Sequence, residues 1–221
     1  MNRSQFLSLL GIPFFAGLFS SSTKNNLTKD LLTDCNDPIT PPVPEGPYYK
    51  NEKLNRVNIV EHKTGTPIKY VFTVEDKHCK PIKGAIVDIW QCDNEGHYSD
   101  FKAENTLNET WLRGYQVTDQ HGRCEFLSIF PGWYTGRLTH LHAKVQINGQ
   151  TVLTTNVFFK KEIEDKIFSK PLYSKGPNPT TISEDFELRL DKDSKRRDIL
   201  IMNVTSDKKG ELSGYYKISI A

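Results

Sequence analysis

The chain has 221 residues, of which 37% are hydrophobic and 25% are charged. This composition provides enough apolar side chains for one folded core and excludes an intrinsically disordered chain. Lys and Arg number 29 against 27 Asp and Glu, so the net charge of +2 produces no field that would attract a nucleic-acid backbone or an anionic lipid surface.

The N-terminal residues have the pattern of an export signal. Arg3 supplies a positive start, residues 6–19 are mostly apolar, and the small residues at 20–22 favour cleavage. A membrane span needs about 20 apolar residues, whereas this stretch is shorter and contains Pro13. A buried amphipathic helix is the alternative, but the polar residues 21–26 follow at once. We therefore expect an exported protein, periplasmic or extracellular, without a membrane span.

The chain is predicted to have three parts. They are an export signal at 1–22, a linker at 23–37 and a single folded domain at 38–221.

The four cysteines form an even set, and disulfides are permitted in an exported chain. Three connectivities are open for Cys35, Cys79, Cys92 and Cys124. No Cys-x-x-Cys pair occurs, which argues against a zinc knuckle or a thioredoxin-type redox site.

Alternation of apolar and polar residues, which is typical of half-buried strands, recurs along the domain. In the first such run, Ile68, Tyr70, Phe72 and Val74 share one face. Further strands are predicted at 84–90, 114–118, 124–130, 141–147, 151–159, 186–190, 199–204 and 215–220. Only 161–168 has helical spacing. The pattern predicts an all-β fold, a β-sandwich of mainly antiparallel strands with one short helix.

A His-x-His pair lies on the predicted strand 141–147 and just before it. Residues two apart on a strand point to the same face, so the imidazoles of His140 and His142 face one way, while Leu141 and Ala143 face the core. Two imidazoles that face the same way can both bind one partner, for which a metal ion is the natural candidate. The alternative is an exposed histidine pair on a polar sheet face.

Two tyrosines follow Gly-containing turns upstream of the histidines. Tyr134 comes after the Pro131-Gly132 turn, which can hold it close to the histidine strand. Tyr98 comes after an Asp-x-x-Gly turn at 93–96. Taken alone, Tyr98 is expected to be a core aromatic residue, as in a carbohydrate-binding or transthyretin-like module.

Together these segments resemble the intradiol ring-cleavage dioxygenases, in particular the small exported branch of that family. The resemblance runs from about residue 35 to residue 168. The matching segments are Glu-Gly-Pro-Tyr-Tyr at 45–49, the strand at 84–93, Gly-His-Tyr-Ser at 96–99, Leu-Arg-Gly at 112–114, Thr-Asp at 118–119 and the run 129–142.

The resemblance implies a catalytic domain that holds one non-haem Fe(III) ion. Its metal ligands would be the phenolates of Tyr98 and Tyr134 and the imidazoles of His140 and His142. Because a phenol with a pKa of about 10 loses its proton near neutral pH only beside a strongly polarising cation, two tyrosines also favour Fe(III) on chemical grounds.

The implied reaction opens a catechol ring between its two hydroxyls with O2 and gives a muconate-type diacid. Arg137 would be the catalytic cation beside the substrate, and Tyr134 would leave the metal and take up a proton. Tyr48 would line the substrate cavity. The expected partners are therefore a small catechol-type substrate and O2.

Two other classes of protein match parts of the pattern. An exported non-catalytic module for carbohydrate or peptide would explain the turns and tryptophans but leave the His-x-His pair without a role. A copper or zinc sandwich would use the histidines and leave both tyrosines aside.

Overall fold

A computed structural model of the protein describes residues 37–221. Its strands are β1 (Pro67–Asp76), β2 (Ile86–Trp90), β3 (Arg113–Val117), β4 (Arg123–Ile129), β5 (His140–Ile147), β6 (Gln150–Phe158), β7 (Asn203–Ser206) and β8 (Leu212–Ile220). The helices are α1 (Lys161–Phe168), α2 (Ser194–Ile199) and a short 3-10 helix, Lys102–Glu104.

The strands form two four-stranded sheets. The first has the order β4-β1-β8-β7, in which only the β1–β8 pair is parallel. The second has the order β3-β2-β5-β6, and all its pairs are antiparallel. The structure thus confirms the prediction of an all-β sandwich with mainly antiparallel strands.

The main hydrophobic core lies between the two sheets. From β1, the alternating side chains of Ile68, Tyr70, Phe72 and Val74 are all buried there. The second sheet contributes Val87, Ile89, Leu141, Ala143 and Val145, which are equally buried. Since β5 turns these apolar residues toward the core, His140 and His142 lie on its opposite face, which loops cover.

The prediction of a strand at 186–190 is wrong, because these residues form turns. The carboxylate of Asp185 accepts hydrogen bonds from the backbone N–H groups of Glu187 and Leu188, at 2.9 and 3.0 Å, which bends the chain back on itself. Leu188 is buried, whereas Leu190 is 82% exposed. The alternating apolar residues therefore do not lie on one buried face of a strand.

The predicted strand at 199–204 is also misplaced, since helix α2 occupies residues up to Ile199 and β7 begins at Asn203. The Asp193 carboxylate starts α2 by accepting hydrogen bonds from the Lys195 and Arg196 backbone N–H groups. Residues 37–221 therefore contain two α-helices where one was predicted, and α1 has the predicted bounds.

The predicted export signal lies outside the described residues, as does all of the predicted linker except Asp37, so both stay predictions. No helix within residues 37–221 has the length and apolar character to cross a membrane. Cys79 is disulfide-bonded, whereas Cys92 and Cys124 are buried free thiols.

Candidate active site

The structure brings the four predicted ligand residues together on the loop-covered face of β5. The Nε2 atoms of His140 and His142 are 3.1 Å apart. The Tyr98 hydroxyl lies 3.2 Å from Nε2 of His142, and the Tyr134 hydroxyl lies 3.2 Å from Nε2 of His140. Two oxygen donors and two nitrogen donors thus point at one another from a strand and two loops.

These separations suit a shared metal ion. Metal–ligand bonds of about 2.0–2.2 Å that meet near right angles place neighbouring donor atoms about 3 Å apart. His140 and His142 are 2% and 1% exposed, which contradicts the alternative of an exposed histidine pair on a polar sheet face. Two phenols with two imidazoles form a donor set that suits a hard trivalent ion.

Burial sets the protonation states of the four side chains. Desolvation lowers the pKa of His140 to about 3 and that of His142 well below its ordinary value, so both imidazoles are neutral. Desolvation also raises the pKa of Tyr98 and of Tyr134. The phenols therefore keep their protons at neutral pH unless a strongly polarising cation binds between them.

A hydrogen bond to the backbone fixes the tautomer of His140. Nδ1 of His140 is 2.6 Å from the Leu138 carbonyl oxygen, which can only accept a hydrogen bond. The ring proton of neutral His140 therefore lies on Nδ1, and Nε2 presents its lone pair to Tyr134 and His142. Histidines that bind a metal through one ring nitrogen commonly donate the N–H of the other nitrogen to a carbonyl oxygen in this way.

Neighbouring strands hold the second histidine. Strand pairing places Trp90 on one side of His142 and Asn156 on the other. The indole of Trp90 stacks on the imidazole, and the Asn156 side-chain amide lies 2.9 Å from Nδ1 of His142. His142 is therefore fixed in both position and rotation.

Tyr48, predicted to line the substrate cavity, packs against both candidate phenol ligands. Its ring stacks on Tyr98 with centroids 4.1 Å apart and meets Tyr134 edge-on at 5.9 Å. Buried Arg113 donates hydrogen bonds to the Tyr48 carbonyl and to both oxygens of Ser99. Arg113 thus ties the Tyr48 segment to the loop that carries Tyr98.

Arg137 lies buried beside the histidines, where three residues hold it. Its Nε donates to Oδ2 of Asp185 at 3.1 Å, and its Nη2 donates to Oδ1 of Asn156 at 2.6 Å. Its carbonyl accepts a hydrogen bond from Nδ2 of Asn178 at 3.0 Å.

Sequence reasoning missed Asp185, Asn156 and Asn178. Of these three residues, only Asn156 could have been found from the sequence. The hairpin at 148–149 pairs strand 150–158 with the histidine strand and so places Asn156 opposite His142. Asp185 is 48 residues from Arg137, and no local pattern links the two.

Comparison with known proteins identifies relatives of the chain. A protein-family model described as Dioxygenase matches residues 44–184, more than half of the chain. The chlorocatechol 1,2-dioxygenase of Rhodococcus opacus is 26% identical over 141 residues, and catechol 1,2-dioxygenase 1 of Acinetobacter lwoffii is 29% identical over 140 residues. These alignments cover 52% and 58% of this chain but only 54% and 45% of the two enzymes, so the chain spans about half their length.

A solved structure is similar over a larger share of both chains. The intradiol ring-cleavage dioxygenase from Tetranychus urticae is 32% identical and superposes with a TM-score of 0.74. The match covers 83% of this chain and 95% of that one. The structural similarity therefore extends over most of this chain and is not confined to the segments around the candidate ligands.

Proposed function

Because the chain belongs to the intradiol ring-cleavage dioxygenase family, we propose that it uses a non-haem ferric ion and O2 to cleave a catechol ring between its two hydroxyl groups. The product is a muconate-type diacid. The observation that carries the proposal is the meeting of two phenol oxygens and two imidazole nitrogens at separations of 3.1–3.2 Å.

Tyr98, Tyr134, His140 and His142 would hold the ion. When bound, ferric iron supplies chemistry that the side chains lack, since it accepts electron density from a catecholate and so makes the ring reactive toward O2. Two ionised phenols would balance two of its three positive charges, and the neutral imidazoles would add no charge.

The two tyrosines have different roles because their surroundings differ. Tyr98 is 0% exposed beneath the stacked ring of Tyr48, so its phenolate stays in place. Tyr134 is partly exposed and lies on the loop before Gly136. Its oxygen is therefore the one that can move aside for the substrate and take up a proton from a catechol hydroxyl.

Arg137 supplies the positive charge beside the reacting ring. The low dielectric of this buried site strengthens its attraction for negative charge that develops on the substrate. The aromatic rings of Tyr48, Trp90 and Phe158 surround the donors and exclude water.

The rival classes account for less of this geometry. A copper or zinc sandwich needs the two histidines alone, yet both phenol hydroxyls lie within 3.2 Å of imidazole nitrogens. A carbohydrate-binding or peptide-binding module needs none of these buried donors.

Visible absorption of the ferric-loaded protein tests the proposal. Phenolate bound to Fe(III) gives a charge-transfer band, which we expect in the wild type and in the exposed control Tyr215→Phe, and which should weaken or shift in Tyr98→Phe and Tyr134→Phe. Oxygen uptake with catechol and mass analysis of the product complete the test. A colourless ferric complex would overturn the proposal, as would a product in which the broken ring bond is not the one between the two hydroxyl-bearing carbons.

A further inference from the structure

We propose that Asp185 is a positioning residue that orients Arg137 for the reaction and, as its counter-ion, leaves the pair without net charge toward a ring substituent, so that the site selects catechols without a ring carboxylate. This inference rests on the proposed function. Asp185 follows the last residue of the family-model match, which ends at 184, so the family assignment does not depend on it.

The two oxygens of the Asp185 carboxylate have separate tasks. Oδ1 accepts hydrogen bonds from the backbone N–H groups of Glu187 and Leu188 and thereby shapes the local turn. Oδ2 instead accepts from Nε of Arg137 at 3.1 Å and from the Leu138 backbone N–H at 2.7 Å. Formation of the turn requires only Oδ1. The hydrogen bonds of Oδ2 therefore serve to hold Arg137 and Leu138.

The ion pair is almost completely shielded from water. The side chains of Arg137 and Asp185 are 7% and 0% exposed. Solvent does not screen a pair at this depth, and the hydrogen bond from Nε to Oδ2 limits how the planar guanidinium can turn. A second hydrogen bond, from Nη2 to Oδ1 of Asn156 at 2.6 Å, further restricts rotation of the guanidinium.

This arrangement leaves one donor group for a ligand. Within residues 37–221, Nη1 of Arg137 has no hydrogen-bond partner, whereas Nε and Nη2 are both engaged. The guanidinium can therefore donate a hydrogen bond to negative charge that develops next to it, whereas the Arg137–Asp185 pair as a whole carries no net charge toward a more distant group. A catechol that carries a carboxylate would bring an extra negative charge without an unpaired cation at Arg137 to receive it.

The test is a double-mutant cycle with Asp185→Asn, Arg137→Gln and the combination of both. In the iron-loaded protein we expect Asp185→Asn to lower kcat/KM for catechol by about 10- to 100-fold, since misplacing a catalytic group is costly. In the Arg137→Gln background the same change should alter kcat/KM by less than about twofold, because Asp185 then has nothing to position.

Two further readouts separate positioning from a structural defect. Asp185→Asn should raise the ratio of kcat/KM for protocatechuate to that for catechol, because it removes the charge that balances Arg137. Thermal unfolding of the metal-free variants should show coupling between positions 137 and 185. Asp193→Asn is the matched control, since that carboxylate also accepts backbone hydrogen bonds but lies at helix α2; it should change neither the ratio nor kcat/KM.

Additive losses in the cycle, or an unchanged ratio of the two substrates, would overturn the inference even if the wild type is active. A wild-type protein with no charge-transfer band and no oxygen uptake would instead overturn the proposed function. The inference would then be judged on stability alone. If the effects of the Arg137 and Asp185 substitutions on thermal unfolding were additive, the ion pair between the two residues would be refuted.

Discussion

The indole ring of Trp90 lies flat against the imidazole of His142, with ring centroids 4.7 Å apart and planes inclined by 5°. Tyr49 packs against Trp90 with ring centroids 4.8 Å apart, and its hydroxyl donates a hydrogen bond to Asp88. A candidate metal ligand is thus held by aromatic packing as well as by a hydrogen bond. The position of this candidate ligand therefore depends on residues outside the set of four candidate ligands.

Replacing Trp90 should weaken metal binding without unfolding the protein. In Trp90→Leu the imidazole of His142 gains rotational freedom, and loss of such support typically lowers metal affinity about 10- to 100-fold. Trp90→Phe keeps a flat ring against the imidazole and is the matched control, with an affinity close to that of the wild type. Competition with a ferric chelator measures both. Equal affinities in Trp90→Leu and the wild type would show that the stack does not orient His142.

Tyr48 should affect the binding of substrate more than the binding of metal. Its ring stacks on Tyr98 and borders Tyr134. Tyr48→Ala removes the ring beside both candidate phenol ligands and should raise KM for catechol about tenfold, whereas Tyr48→Phe keeps the ring and should leave KM nearly unchanged. Steady-state oxygen uptake gives KM and kcat, and the charge-transfer band checks that iron is still bound. A fall in kcat at constant KM would contradict a role in substrate binding.

The loops that carry Tyr98 and Tyr134 should tolerate no side chain at Gly132. A Cβ there would lie 2.6 Å from the carbonyl oxygens of both Asp93 and Asn94, so Gly132→Ala must push the two loops apart. We expect it to lower the free energy of unfolding by more than about 2 kcal/mol and to weaken the charge-transfer band.

Gly149→Ala is the control for Gly132→Ala. Gly149 has a φ of +77°, but a Cβ there would meet nothing within 4 Å. It should therefore cost only the backbone strain of about 1 kcal/mol and leave the band unchanged. Denaturant unfolding and visible absorption measure both variants. An intact band in Gly132→Ala would show that this close approach does not set the spacing of the tyrosines.

Glu164 should make stability depend on pH. It is buried on α1, and desolvation raises its pKa to about 8. The folded state therefore binds a proton that the unfolded state, with an ordinary carboxyl pKa near 4.5, releases. Stability from this group is complete below pH 4.5, falls by at most about 1.4 kcal/mol per pH unit, and is lost once pH rises through 8.

Glu164→Gln should remove this dependence. Relative to the wild type, the variant should gain stability between pH 5 and 8, and the difference should then stay constant. Glu162→Gln, an exposed change on the same helix, is the control and should show no such trend. Urea unfolding across this pH range measures the effect. A constant difference between Glu164→Gln and the wild type would show that this carboxyl is ionised in the folded protein.

The strands and one helix follow from local patterns in the sequence. Apolar alternation identified β1 and most other strands, because every second side chain of a strand faces the same way. It also placed His140 and His142 on one face. The same rule failed at 186–190, where the side-chain hydrogen bonds of Asp185 override the alternation. Helix α2 was missed because it has only six residues, too few to show a helical period.

By itself, the sequence determined the sandwich, the direction of the histidine pair and, through the resemblance, the identity of four candidate ligands. Only the tertiary structure decided that Tyr98 lies 3.2 Å from a histidine 44 residues away, and that Arg137 is held by Asp185. The reason is physical: periodicity is a property of neighbouring residues in one strand, whereas these contacts depend on how separate loops pack over the sheet. No local pattern records the distance between two loops.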